Sequence, residues 1–160
     1  MFFLQTNGSG VLSFAGVSAS AGQVIQVLSA TDSTARSTTS TSYVTASNTL
    51  SVTITPSSAS NKILILVGAS VASPQTLALY TIFRGATDLG ATANNRGMAI
   101  AYGSDASSGA EYNMGINYLD SPNTTSATTY QVYFRSNSAV TSYLNAGSAK
   151  GSITCLEIKG

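Results

Sequence analysis

The residue types that could support catalysis are few in this chain and poorly placed for it. Asp105 and Glu111 are the closest pair of carboxylates that could share a loop, and glycosidases use two such groups as acid and base. The chain has no histidine to take a proton from a serine nucleophile, and Gly8-Ser9-Gly10 has no other base beside it. We therefore interpret both carboxylates as solvated loop residues and expect a protein without enzymatic activity.

A second chemistry that the residue types allow is sugar binding. Sugar-binding sites combine an aromatic face with polar side chains, and Asn94, Asn95, Asp105 and Tyr112 could form such a glycan contact. The alternative is that the tyrosines of alternating strands pack between sheets or between subunits, with the hydroxyl at the rim. We favour this packing role and keep the four residues as a candidate glycan site.

The sequence does not indicate a metal, cofactor, nucleic-acid or membrane-binding site. With no histidine and a single cysteine, Cys155, the chain lacks the usual ligands of a structural zinc site, and we expect no metal and no cofactor. Its seven lysines and arginines are scattered singly, which argues against nucleic-acid binding. The longest apolar run, Ile63–Val67, is too short to span a bilayer, and Met1–Thr6 lacks the basic start of a signal peptide.

The low charge is the most unusual feature of the composition. Charged residues make up 8% of the 160 residues, where about 25% is usual. Surfaces of free monomers normally carry many lysines and glutamates, so we expect part of this surface to be covered in an assembly. The prediction is a homotrimer whose sandwich domains surround a three-fold axis.

The apolar residues follow the period of β-strands. Leu50–Thr55 alternates apolar with polar residues, as a half-buried strand does, and Tyr112–Leu119 does the same. Ile63–Val67 is a continuous apolar run, which predicts a central strand buried on both faces. The fold class expected is all-β, an antiparallel β-sandwich or jelly roll of about 8–10 strands with no helix of note. The other predicted strands are Val24–Leu28, Ser42–Thr45, Leu77–Phe83, Met98–Tyr102, Thr129–Phe134, Ser142–Leu144 and Ile153–Ile158.

The N-terminal segment differs from the rest and is predicted to be an attachment arm. Asn7-Gly8 between two short apolar pieces favours a hairpin, and a hairpin this small needs a neighbour to bury its apolar face. We divide the chain into an arm or linker, residues 1–22, and a β-sandwich domain, residues 23–160. The predicted attachment residues are Phe2, Phe3, Leu4, Val11, Leu12 and Phe14.

The segment Phe3–Phe14, with the sequence FLQTNGSGVLSF, resembles a short linker that precedes terminal modules of tailed-bacteriophage fibre and other virion proteins. The resemblance implies a virion surface protein of the tail-fibre or head-decoration type, trimeric and without catalytic residues. Further segments that are similar to β-rich modules of phages, cyanophages included, are Val24–Leu28, Tyr43–Thr55, Ile82–Gly85, Tyr118–Pro122 and Gly151–Thr154.

Two virion functions follow as expectations. Fibre proteins carry a shaft upstream of this linker, whereas this sequence starts with the linker at Met1, so we place a capsid decoration or cement protein first. A short tail fibre or fibre-tip receptor-binding protein comes second, and a carbohydrate-binding module third. The partners expected are copies of itself and a major capsid or tail protein, with a host surface glycan under the second hypothesis. The location expected is the virion surface, after synthesis in the host cytoplasm.

Overall fold

The computed structural model describes residues 2–6, 8–10, 12–16, 19–73, 76–103 and 111–160. In these residues a two-stranded hairpin precedes two antiparallel sheets that pack face to face, which confirms the predicted all-β sandwich. No α-helix occurs in the described ranges, and Ala146–Ser148 forms one 3-10 turn. The strands are β1 Phe2–Thr6, β2 Leu12–Gly16, β3 Val24–Asp32, β4 Arg36–Thr38, β5 Ser51–Ile54, β6 Lys62–Ala72, β7 Leu77–Arg84, β8 Thr87–Asp88, β9 Ala99–Tyr102, β10 Glu111–Asp120, β11 Thr128–Ser136, β12 Ser142–Leu144 and β13 Gly151–Ile158.

The first sheet is built around β6. One edge of β6 pairs with β10 along ten residues, from Ile63↔Asp120 to Ala72↔Glu111. The other edge pairs with β13, and near its end with β12, which in turn pairs with β4. Strand β3 pairs with the far side of β13. Along most of β6 the spatial order is β3-β13-β6-β10, and near the end of β6 it is β4-β12-β6-β10, so β3, β4 and β10 are the outer strands.

The second sheet is centred on β11 and β7. Strand β11 pairs with β5 on one side and with β7 on the other, and β7 pairs with both β8 and β9. The core lies between the two sheets, where Tyr80 stacks on Phe134 with 5.9 Å between ring centroids. Tyr130 is also fully buried there. Tyrosines on alternating positions of these strands thus pack between the sheets.

Strand β6 corrects one sequence prediction. Ile63, Ile65 and Val67 are buried in the core, but Leu64 is only half-buried and Leu66 remains 37% exposed. The run is therefore buried on one face rather than on both, because none of the described residues forms a layer over the outer face of the first sheet at these positions. Apolarity alone could not distinguish a covered face from an uncovered one.

The chain itself covers part of the outer face of the second sheet. Leu79 and Thr81 alternate with the core residue Tyr80, yet both are fully buried. The segment after β8 lies against them: Asp88 accepts a hydrogen bond from the Thr81 hydroxyl at 2.6 Å, and Asp88 also accepts one from the Gly90 N–H. The two sheets thus differ in how their outer faces are covered.

Two further differences from the predicted strands concern short pieces. Ser42–Thr45 is not a strand but a single bridge, in which Val44 exchanges backbone hydrogen bonds with Phe134 at 3.0 Å. Strand β4 was not predicted, because its sequence Arg-Ser-Thr has no apolar alternation. The described part of 23–160 contains eleven strands rather than 8–10, since pieces as short as β8 leave no readable pattern.

No helix among the described residues is long and apolar enough to cross a membrane.

Candidate functional site

The N-terminal hairpin carries the predicted attachment residues on a regular two-stranded ladder. Leu4 pairs with Phe14 and Thr6 pairs with Leu12, so that Leu4 and Leu12 lie on one face of the ladder. The Leu4 and Leu12 side chains are 57% and 64% exposed. Phe2 and Phe3 are placed by their rungs with Gly16 and Ala15, and Val11 lies outside the described residues.

The root of this hairpin is tied to the end of β13. The Gly22 N–H donates to the Lys159 carbonyl at 2.7 Å, and the Lys159 N–H donates to the Gln23 carbonyl at 2.9 Å. The Lys159 ammonium also donates to the carbonyl of Ala19. Residues from Ala19 onward are therefore attached to the sandwich, although the predicted arm extends to residue 22. Gly16, the last residue of β2, is three peptide steps or about 11 Å at most from Ala19.

The candidate glycan residues lie in different surroundings. Asn94 and Asn95 are exposed on the loop between β8 and β9, and the Asn95 carbonyl accepts a hydrogen bond from Arg135 Nη2 at 2.8 Å. Tyr112 is in β10, where its hydroxyl donates to the Tyr102 carbonyl at 2.9 Å. Asp105 lies outside the described residues, which leaves both this set and the Asp105–Glu111 pair as predictions.

An aromatic cluster beside Asn95 was missed at the sequence level. Phe83 stacks on Tyr133 with 4.1 Å between ring centroids, and Tyr43 meets Phe83 edge-on at 6.1 Å. The Arg135 guanidinium lies 5.3 Å from the centroid of the Tyr43 ring, a cation–π distance. The alternation of β11 already set Tyr133 apart from the core positions. Its partner on β7 could not be known without the register Gln131↔Phe83 and Tyr133↔Thr81.

This cluster offers a half-buried aromatic surface with a fixed cation and an exposed amide loop at its margin. Burial raises the pKa of Tyr43 despite the neighbouring Arg135 charge, so its hydroxyl stays protonated at neutral pH. Flat aromatic rings and hydrogen-bonding groups are the components that a sugar site requires. The cluster is therefore a better candidate for glycan contact than the region around Tyr112.

The buried carboxylates have dedicated donors and serve the fold. Asp120 accepts hydrogen bonds from Arg84 Nη1 at 2.9 Å and from the Tyr130 hydroxyl at 2.6 Å. Glu157 accepts from the Asn61 amide at 2.6 Å and from both the N–H and the hydroxyl of Ser57. With these hydrogen bonds the two carboxylates act as cross-links between elements, an arrangement that leaves them poorly suited to acid–base catalysis.

Cys155 is equally unsuited to chemistry. Its side chain is fully buried in the core, and burial raises the pKa of the thiol to about 12. The nucleophilic form of cysteine is the thiolate, which this environment disfavours at neutral pH. In the described ranges no group of three or more histidine, cysteine, aspartate or glutamate side chains could hold a metal ion.

A shallow depression of about 300 Å³ lies on the first sheet. Gly68 of β6, a residue without a side chain, is one of its lining residues. Ser70, Asn113 and Ser152 line it with polar groups. The depression is open to solvent, and its volume is at the lower end of the range for ligand pockets. We therefore interpret it as a surface feature rather than a cofactor pocket.

No protein-family model and no curated protein matches this chain.

Proposed function

We propose that this chain is a non-enzymatic structural protein on the surface of a tailed-phage virion. In this proposal it is a trimeric capsid decoration or cement protein that docks onto the particle through its N-terminal hairpin. It is made in the host cytoplasm and assembled onto the virion. The sequence resemblance of the linker segment gives the context, and the geometry of the hairpin gives the mechanism.

The hairpin is the observation that carries the proposal. Residues 2–16 contain no charged side chain, and no described strand of the sandwich pairs with β1 or β2. Burying one large apolar side chain contributes roughly 1.5–3 kcal/mol, so exposed Leu4 and Leu12 favour a partner surface. Because the chain is hydrogen-bonded to the sandwich from Ala19 onward, the hairpin is tethered to the body close to the end of β13.

A trimer would make such a docking device effective. Ordering each residue of a mobile segment costs about 1–2 kcal/mol in backbone entropy, so one hairpin alone would hold weakly. Three hairpins on one rigid body raise the effective concentration of the second and third contacts. Multivalent attachment of this kind suits a protein that must stay on a particle.

The test removes the apolar character of the hairpin without shortening the chain. A phage that carries the double substitution Leu4→Asp with Leu12→Asp should yield particles that lack the protein, because the docking face has become charged. The matched control is Ile100→Asp, which charges an apolar side chain on β9 that is 46% exposed. The control protein should remain on gradient-purified particles; normal incorporation of the double variant contradicts docking by the hairpin.

The alternative is a short tail fibre or fibre-tip protein that binds a host glycan. The cluster of Tyr43, Phe83, Tyr133 and Arg135 beside Asn95 supports this second function. Imaging of virions labelled on this protein distinguishes the two. Decoration predicts many copies over the head, a fibre predicts few copies at the tail, and absence from virions contradicts both.

A further inference from the structure

The outer face of the first sheet carries a continuous row of apolar residues across four strands. Val27 pairs with Leu156, Leu156 with Leu64, and Leu64 with Leu119, so all four belong to one rung of the sheet. They alternate with core residues such as Cys155 and therefore point away from the core. We call these four residues the outer row.

The outer row is exposed and almost free of charge. Val27 is 56% exposed and Leu119 is 51% exposed, while Leu64 and Leu156 between them are half-buried. The neighbouring rungs add apolar residues, Leu66 on one side and Val24 with Ile158 on the other. Within these three rungs, Lys62 is the single charged residue.

Strand β3 extends this apolar surface around the edge of the sheet. Ile25 and Leu28 are 39% and 36% exposed, so β3 presents large apolar side chains on both of its faces. No strand among the described residues pairs with its outward edge. An exposed, apolar edge strand of this kind is normally covered by a partner, because unpaired backbone groups and apolar side chains together favour association.

We propose that the outer row and β3 form the surface through which copies of this chain associate. The inference deepens the proposed homotrimer and rests on it. The occupant is a second copy. In a trimer each contact joins two different patches, so the outer row of one copy packs on the apolar β3 edge of the next, and these surfaces bring no like charges together. The chain buries Leu79 and Thr81 on the outer face of its second sheet with its own residues, whereas the apolar part of the first sheet's outer face lacks such a cover within the described residues.

The size of the surface is of the right order for a subunit contact. Four strands spaced at about 4.8 Å, each contributing about seven residues of about 3.3 Å, cover roughly 450 Å² in plan. Side-chain relief and the exposed edge of β3 add to this area. A standard interface takes about 800 Å² from each partner.

The test places a charge on the row in the full-length protein and measures mass by sedimentation. The unchanged protein is expected at about three times 16.3 kDa, and Leu119→Lys is expected to sediment as a monomer. Val27→Lys is a second variant. Val27 lies on the edge strand β3 and is 56% exposed, so a charge there should disturb folding even less than one at Leu119. The matched control is Ile100→Lys, at a residue 46% exposed on the other sheet, which should keep the mass of the unchanged protein.

The possible results distinguish a failure of the proposed contact surface from a failure of the proposed trimer. A monomeric unchanged protein at high micromolar concentration overturns both the trimer and this inference. An oligomer that persists in folded Leu119→Lys or Val27→Lys overturns the inference alone, as does an equal loss of mass in Ile100→Lys. Circular dichroism of each variant establishes that a loss of mass reflects dissociation of a folded protein.

Discussion

Glu157 is a buried carboxylate whose charge the fold retains. Burial opposes its ionisation, but the hydrogen bonds from Asn61 and from Ser57 outweigh burial and hold the pKa below its ordinary value of 4.5. A carboxyl group with a lowered pKa stabilises the folded state above its unfolded pKa, and this stabilisation is lost as the pH falls through the folded pKa. Asp32, with donors from Thr34 and Thr49, behaves in the same direction.

We therefore expect Glu157→Gln to lower the free energy of unfolding at pH 7 by about 1–3 kcal/mol, since hydrogen bonds to a charged group are lost. The difference from the unchanged protein should shrink as the pH falls below about 4.5, because the unfolded chain then takes up a proton at Glu157 before the folded protein does. Urea unfolding followed by circular dichroism at several pH values measures both effects. The matched control is Glu111→Gln at an exposed glutamate; a similar loss in the control contradicts the role of the Glu157 network.

The Tyr130 hydroxyl makes a second buried contact of this type. It donates to Asp120 at 2.6 Å, inside the sandwich, and burial raises the pKa of the phenol. Tyr130→Phe should lower the free energy of unfolding by about 1.5–3 kcal/mol, because the carboxylate loses a donor that water cannot replace. In Tyr112→Phe the lost hydroxyl is exposed, and the change should stay within about 0.5 kcal/mol. Equal effects of the two substitutions on thermal or urea unfolding would contradict this account.

At the scale of elements, the loop that precedes β9 depends on one glycine. Gly97 has φ of 68°, and a Cβ built there would lie 2.5 Å from both the Tyr43 hydroxyl and the Tyr80 carbonyl. The loop can approach the sheet this closely because the residue has no side chain and tolerates a left-handed backbone. The same approach brings Asn95 beside Arg135.

Gly97→Ala should therefore destabilise the protein by about 1–3 kcal/mol, the usual range for a residue forced into a strained backbone. It should also displace the Asn95 loop from the aromatic cluster, which changes the near-ultraviolet circular dichroism of the tyrosines. The control is Gly115→Ala, where a Cβ would meet nothing within 4 Å and φ is not positive. A melting temperature of Gly97→Ala that equals that of the control contradicts the proposed close approach.

The sequence predicted the strands well where apolar and polar residues alternate clearly. The period-two patterns of Leu50–Thr55 and Tyr112–Leu119 coincide with β5 and β10 within one or two residues. Strand β4 was invisible because a three-residue strand, paired only to β12, contains too few positions for a period. The aromatic cluster was invisible for another reason. Its side chains come from two strands, β7 and β11, and from two loops. They meet only because of the register between β7 and β11 and the course of the two loops.

At the scale of the whole molecule, the proposed contacts account for the low charge of the composition. If the hairpin, the outer row and β3 are contact surfaces as we propose, charge would be unfavourable on them, and these surfaces contain many of the exposed apolar residues. The sequence indicated an assembly from this deficit, but it could not say which face was left open. That choice depends on which outer face the loops cover, and residues 88–98 lie on the second sheet rather than the first.

Association through such a neutral surface has a characteristic dependence on conditions. An interface held by ion pairs weakens as salt rises, because screening shortens the range of the charges. Burial of apolar surface does not weaken in this way, and its stabilisation decreases on cooling. The residues of the outer row offer no opposite charges for screening to act on.

We therefore expect the oligomer to persist when sodium chloride is raised from about 0.1 M to about 1 M, conditions between which the Debye length falls from about 10 Å to about 3 Å. Cooling toward 0 °C should shift the equilibrium toward monomers, since the hydrophobic contribution decreases. Sedimentation equilibrium over these salts and temperatures measures both dependences. Dissociation driven by salt, with no effect of cooling, would mean that charged residues outside the outer row hold the copies together.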